Sequence, residues 1–480
     1  MLISDILNFP ALPEVIVLAM TCFTILVGLF FSQRCQRIHY FLAQFALLLA
    51  LFASVFLLRK PVSLAFSDMF LLDPLSSLLK IFIAATSFFS FLYARAFLEE
   101  KHMPSGEYYI LGLFSVLGMM VMVSSENFLP LFLGLELQSL PLYAMIALRR
   151  TSGTASEAAM KYFIMGSFAS AMLLYGISLL YGVTHTLDIQ EAAHAFSQGL
   201  ATNNVLFACA LVFIIAGIAF KFGAAPFHVW APDVYQGAPS IVTLFLGSAP
   251  KIAMLGFTFK ILIQAMPNLY LHWQTLLIII AVLSMAIGNI VAVTQTNLKR
   301  MLAYSSISHM GYMLLGFIPG NSDGYAAATF YMIAYTLMTL GGFAMIVLLS
   351  KSGIEAESIK DFKGLNSRNP WLALMMMIMM FSMAGVPPTI GFFAKLSVLE
   401  ALVNVNLVWL AALALIFAII GSYYYIAVIK VMYFEAPEET IPLPYMARDM
   451  RLAISINGLL LLFLGVFPGA LIQLCRSVFM

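Results

Sequence analysis

The chain has 480 residues, 62% of them hydrophobic and only 10% charged. That leaves too little polar surface for a soluble protein of this length, so the expected solvent is the bilayer. A formal net charge of +2 with no basic patch gives no footing for nucleic acid.

The four cysteines, Cys22, Cys35, Cys209 and Cys475, are scattered with no C-x-x-C pair, so neither an iron–sulfur cluster nor a zinc site is supported. No G-x-G-x-x-G or Walker A loop marks a nucleotide site. Asp5 and Glu14 flank weak apolar runs at the N-terminus without a basic region before them, so no cleaved signal peptide is expected.

Runs of roughly 20 apolar residues predict an all-α, polytopic chain of about fourteen spans. In chain order these are Glu14 to Phe31, Tyr40 to Leu58, Phe70 to Leu98, Tyr108 to Val123 and Phe128 to Leu148. Next come Ala159 to Tyr181, Asn204 to His228, Ser240 to Gln264, Gln274 to Val293 and Met301 to Ile318. The last four are Tyr325 to Leu349, Pro370 to Val403, Val408 to Phe434 and Leu452 to Leu474.

Loops after odd-numbered spans carry Arg34, Arg37, Lys101, Arg149, Arg150, Lys299, Arg300, Lys351, Lys360, Lys363, Arg368, Lys430, Arg448 and Arg451. The even-numbered ones offer mainly Arg59, Lys60 and Lys260. The positive-inside rule then places the odd loops in the cytoplasm and both termini on the periplasmic side of a bacterial inner membrane. The longest connection, Thr184 to Thr202, has room only for a short surface helix.

Two spans are interrupted. The seventh breaks at Gly223-Ala224-Ala225-Pro226, near Lys221; the twelfth breaks at Gly385-Val386-Pro387-Pro388, near Lys395. Proline removes a backbone donor, and the freed groups must face protein or water rather than lipid. A packing kink explains a single proline. Broken helices beside ionisable residues are how many ion transporters build their sites. Spans four to eight and nine to thirteen each contain a break in their fourth member, and an odd span number inverts the second set. The expected organisation is therefore N-terminal helices 1–105, a first inverted repeat 106–266, a second 267–436 and a C-terminal helix 437–480.

Ionisable residues at mid-membrane cost about 2.5–3.5 kcal/mol on insertion scales, which makes them functional candidates. Glu136 sits mid-span in Leu133-Gly134-Leu135-Glu136-Leu137, and Lys221, Lys251 and Lys395 lie at or near breaks or inside spans. Lys161 lies in the first turns of its span, where snorkelling to the interface is an equal explanation. His309 is a candidate relay, though a membrane histidine also serves as a helix–helix hydrogen-bonder. His228, Lys80 and Glu400 are weaker candidates for a proton relay: His228 also reads as an interfacial residue beside Trp230, and the other two as structural. Desolvation disfavours an ammonium and a nearby carboxylate favours it, so making or breaking a Glu–Lys contact switches a lysine's proton affinity.

The stretch from Lys221 to Pro239, KFGAAPFHVWAPDVYQGAP, resembles the hallmark of the antiporter-like membrane subunits of respiratory complex I. Ala303 to Tyr312 and Gly385 to Lys395 resemble that family too, and span number and order agree over the whole chain. Other members carry a long lateral helix, or a glutamate where Lys395 stands. One departure is the small Gly223-Ala224-Ala225 at the first break.

The resemblance implies a fourteen-span fold with two inverted five-helix units. It implies that Glu136 and Lys221 form a switch with Lys161 alongside, and that Lys251 and His309 link to Lys395 on the exit side. It implies that this chain carries no cofactor, FMN, iron–sulfur clusters and quinone belonging to partner subunits. The implied neighbours are antiporter-like subunits L and M, small subunits such as K and J, and lipid. The implied activity is proton translocation coupled to electron transfer from NADH to quinone. Two other readings remain at this point: a subunit of a multi-subunit cation/proton antiporter, which would need carboxylates for a hard cation, and a scaffold whose polar residues only pack helices.

Overall fold

The computed structural model describes residues 8–30, 36–199, 205–350, 355–436 and 448–479. Asp5, Arg34, Cys35 and Lys351, used in the sequence reading, lie outside the described residues.

The chain opens with α1 (Leu12–Phe30) and α2 (Gln36–Leu57). A short antiparallel hairpin follows, β1 (Ser63–Ala65) with β2 (Phe70–Leu72). The third span was expected to begin at Phe70, but that residue pairs with Ala65 and the helix α3 runs Pro74–Glu100. Proline at the first helical position needs no intrahelical donor, so Pro74 suits the start. Next come α4 (Ser105–Ser124), α5 (Phe128–Ile146) and the long α6 (Gly153–Thr184). The expected surface helix is α7 (Ile189–Ser197), whose first amides are capped by the Asp188 carboxylate.

Helix α8 (Val205–Phe222) stops at the first break, and α9 (Trp230–Gly237) resumes beyond it. The eighth predicted span is α10 (Ser240–Leu246), α11 (Ala249–Thr258) and a π-helical end, Phe259–Ala265. Then follow α12 (Tyr270–Ala292), α13 (Leu298–Leu315) and α14 (Ser322–Leu349). The second break separates α15 (Pro370–Ala384) from α16 (Ile390–Asn404). The chain continues through α17 (Val408–Phe434), α18 (Arg448–Val466) and α19 (Gly469–Ser477).

Among the described residues, twelve helices are long and apolar enough to cross a membrane, fewer than the fourteen expected. Two predicted spans account for the difference. Helix α13 carries Lys299, Arg300, three serines and His309, which lower its apolar character. The twelfth span exists as two half-helices of 15 residues each.

The chain divides into two compact units. One comprises Met1–Phe91, Met103–Lys221 and Ala249–Trp273. Within it α4 and α5 pack backbone to backbone: a Cβ on Gly118 would run into the amide nitrogen of Gln138, and one on Gly134 would meet that of Met122 at 2.8 Å. Small residues permit such approach in a bilayer, where apolar burial gives no drive. This contact sets the rotation of α5 and hence where Glu136 points. The same unit buries an ion pair between Lys80 on α3 and Glu14 on α1, 2.6 Å apart.

The other unit comprises Leu92–His102, Phe222–Ser248 and Gln274–Met480. Its centre is α14, which is buried along most of its length. Helices α13, α15, α16, α18 and α19 pack against it.

Candidate functional site

Each unit holds a polar group inside an apolar shell. In the first, Lys221 lies in the last turn of α8, with only 5% of its side chain exposed. Its Nζ donates to the Ser139 hydroxyl at 2.9 Å and stands 4.0 Å from the Glu136 carboxylate. Glu136 and Ser139 are three residues apart on α5, so they share a face. Lys251 enters from α11 and is 2% exposed. Its Nζ reaches the carbonyl oxygen of Lys221 at 3.5 Å, a long contact.

The break makes that carbonyl available. In a continuous helix the Ala225 amide would donate to it. Instead Gly223 turns the chain at φ +68°, and the Ala225 amide donates to Ser284 Oγ at 2.8 Å. Pro226 has no amide to offer the Phe222 carbonyl. The C-terminal end of α8 is therefore a cluster of carbonyl oxygens with partial negative charge, which attracts an ammonium.

The second unit repeats the arrangement. Gly385 turns the chain at φ +85° after α15. Lys395, from α16, donates to the carbonyl oxygens of Met383 at 3.1 Å and Ala384 at 2.8 Å. Its ammonium also lies 5.2 Å from the centroid of the Tyr312 ring.

Beside it on α13 stands His309, 3% exposed, with both ring nitrogens engaged. Nδ1 is 2.7 Å from the Tyr331 hydroxyl and Nε2 is 3.1 Å from the Tyr425 hydroxyl. Tyr425 bonds onward to Ser305 Oγ at 2.5 Å, and Ser306 Oγ pairs with Tyr335 at 2.7 Å. Every link is a hydroxyl or an imidazole, groups that both accept and donate a proton.

The remaining candidates fall elsewhere. Lys161 pairs with Glu157 at 2.9 Å and is 43% exposed, one turn from it on α6. Lys80 is held by Glu14 and lies 4.8 Å from the Phe70 ring centroid. His228 sits in the turn between α8 and α9, half-buried, with Nδ1 unbonded. Glu400 is exposed and lines a surface pocket with Asp323, Asn404 and Arg476.

The sequence reading missed several polar partners. Lys260 was counted with the loop charges although the eighth expected span contains it; it is 3% exposed in the π-helical turn and bonds Glu126 at 2.9 Å. Lys299 was expected in a loop, but it lies in the first turn of α13 with its side chain fully buried. Ser139 and the tyrosines around His309 carry no charge, so hydropathy gave them no weight. Their only signal was hydroxyls spaced along otherwise apolar helices.

Lysines seated on the carbonyl ends of two broken helices, with a further lysine, Lys221, facing the partly buried Glu136 carboxylate, define an antiporter-like membrane subunit. Residues 125–421 match the family described as NADH:quinone oxidoreductase/Mrp antiporter, TM. Among curated relatives, the NADH-quinone oxidoreductase subunit N of Coxiella burnetii is 53% identical over 99% of this chain and 100% of its own length. That of Thioalkalivibrio sulfidiphilus is 52% identical over 98% and 97%. Among solved structures, a chain of respiratory complex I from Thermus thermophilus superposes with a TM-score of 0.83 at 30% identity, covering 97% of this chain and 99% of that one. A chain of the Mrp complex from Dietzia sp. shares the fold, with a TM-score of 0.86 at 20% identity over 98% and 96%. The chain belongs to the NADH-quinone oxidoreductase subunit N family and is a multi-pass bacterial membrane protein.

Proposed function

We propose that this chain translocates protons in the membrane arm of an NADH–quinone oxidoreductase, coupled to electron transfer in partner subunits. The observation that carries this is the pairing of Lys251 and Lys395 with the carbonyl ends of α8 and α15. The Lys395 ammonium is held by the partial charges of the Met383 and Ala384 carbonyls, so it can release its proton without stranding a carboxylate.

Lys221 adds a switch. With Glu136 at 4.0 Å, a small movement that closes or opens the contact alters the lysine's hold on its proton. Coupling to a remote redox event is then electrostatic linkage between sites. In this reading protons load from the cytoplasm onto Lys221 or Lys251 and leave through Lys395, with His309 as a relay. Lys161 stands alongside that switch, and His228, Lys80 and Glu400 are assigned accessory roles as proton relays.

The proposed topology has fourteen crossings, counting α13 and the α15–α16 pair, with odd loops cytoplasmic and both termini periplasmic in the cell inner membrane. Two inverted repeats, 106–266 and 267–436, are supported by the matched breaks. In each, a glycine at positive φ (Gly223, Gly385) stands three residues before a proline (Pro226, Pro388). Neighbours are proposed to be subunits L and M and small subunits such as K and J, which with the rest of the complex supply FMN, iron–sulfur clusters and quinone.

The test is NADH-driven proton pumping by membrane vesicles carrying the assembled complex with Lys221→Ala or Lys395→Ala, with assembly checked by native gel. Loss of pumping and of NADH oxidation in an assembled complex is the expected result. Wild-type rates in both variants would leave the chain as a scaffold.

A further inference from the structure

We infer that Lys299, Glu355 and Glu357 form a second proton inlet, feeding His309 through Tyr235 and the Ser306–Tyr335 pair. The inference deepens the proton-translocating reading above and rests on it, including its orientation.

Lys299 is buried completely, yet it sits among ionised groups. It donates to the carbonyl oxygen of Ala238 at 2.7 Å and to Glu357 at 2.9 Å, and Glu355 lies 3.5 Å away. Glu355 accepts in turn from the Ser240 hydroxyl at 2.7 Å. Exposure falls along the group, from 29% for the Glu357 side chain to 8% for Glu355 and 0% for Lys299. The group thus runs from the surface inward. A buried ammonium needs one carboxylate to be tolerated. Here two approach it, so the group has one carboxylate more than the ammonium requires.

Helix α13 runs inward from this group. Lys299, Ser306 and His309 are seven and three residues apart, which places them on one face over roughly 15 Å. Helix α9 packs against α13 and contributes Tyr235, which has no exposed surface. The Tyr235 hydroxyl makes no hydrogen bond of ordinary geometry, and it stands within electrostatic reach of Ser306 and Tyr335. It lies close to Thr339: a Cβ built on Gly247 would be 3.5 Å from the hydroxyl oxygen and 3.3 Å from Thr339 Cγ2. Thr339 is one turn along α14 from Tyr335, which bonds Ser306.

A buried, unbonded hydroxyl costs about 1–3 kcal/mol. Packing alone would be served by phenylalanine, as at the neighbouring Phe343 that Tyr235 contacts. The hydroxyl is explained if it bonds a water that carries protons between the surface group and the Ser306–Tyr335 pair. In each transfer an oxygen gains one proton and gives up another. His309 gains one on one ring nitrogen from the tyrosine bonded there and releases one from the other nitrogen to the second tyrosine, Tyr331 and Tyr425 being the two, and so onward toward the Lys395 amine.

Tyr235→Phe is the decisive variant, since it removes only the hydroxyl that stands within reach of Ser306 and Tyr335. Glu357→Gln tests the outer end independently. Both are measured in inverted membrane vesicles, with NADH-driven proton uptake normalised to assembled complex, in H2O and in D2O, beside Lys395→Ala. The expected result is pumping reduced roughly threefold or more in both, with a larger H2O/D2O rate ratio, because proton uptake has become slower. A purely structural role would leave that ratio unchanged. Wild-type pumping and an unchanged ratio in both variants, with Lys395→Ala inactive, overturns the inlet and leaves the proposed function standing. Wild-type pumping in Lys395→Ala as well removes both.

Discussion

The Nζ of Lys395 lies 2.8 Å from the carbonyl oxygen of Ala384, the last residue of α15. A lysine on one half of a broken helix thus caps the other half. The cap is a cation held by backbone dipoles, and it exists only because Gly385 and the two prolines after it end the helix inside a span.

Lys395→Arg separates charge from proton exchange. Arginine keeps the cation and the carbonyl contacts but does not deprotonate in proteins. The expected outcome is an assembled complex whose pumping is as low as that of Lys395→Ala. Pumping near wild type in Lys395→Arg would show that only the fixed charge matters.

Glu136→Gln keeps the shape of the side chain and removes its charge. With Lys221 4.0 Å away, the ammonium loses its nearby carboxylate and the switch is fixed in one setting. Proton pumping is expected to fall by about tenfold, the equivalent of about 1.4 kcal/mol in a barrier. Ser139→Ala removes the 2.9 Å bond to Lys221 and is expected to cost less, about 1 kcal/mol. Vesicle pumping assays on both variants check the order.

Tyr425 bonds both His309 and Ser305, so Tyr425→Phe cuts two links of the hydroxyl–imidazole chain at once. Tyr331→Phe cuts one. Pumping is expected to fall further in Tyr425→Phe than in Tyr331→Phe, with assembly unchanged in both by native gel. Equal, wild-type rates would assign the tyrosines to packing.

The Lys260–Glu126 pair tests burial of charge apart from function. Both side chains are 3% exposed. Lys260→Met alone strands a carboxylate, a loss of about 3–5 kcal/mol. The double variant Lys260→Met with Glu126→Leu removes both charges and is expected to recover most of that stability. Thermal unfolding of the assembled complex in detergent, followed for the single and double variants, measures the recovery. A double variant as unstable as the single would mean that the pair has a further role.

Much of this was legible in the chain itself. Lysines inside apolar runs stand out because burying a charge is costly, and Lys221, Lys251 and Lys395 are indeed buried or nearly so in the folded protein. The two breaks were legible because glycine and proline act on their own backbone, independently of neighbours. Helix positions followed from hydropathy for the same local reason, and they failed locally too, at Phe70, where the chain pairs as a strand.

What only the tertiary structure decided is which polar groups meet. Lys260 and Glu126 are 134 residues apart in sequence, and Tyr425 and His309 are 116 apart. A hydropathy profile reads residues one at a time and has no term for such encounters. That is why Lys260 and Lys299 read as loop charges, although in the fold they are buried cations with carboxylate partners. It is also why the uncharged tyrosines went unnoticed. Composition determined that this chain lives in a bilayer, and glycine and proline at particular positions determined where two of its helices break. The rotation of each helix, set by contacts such as Gly118 against α5, decided which side chains meet.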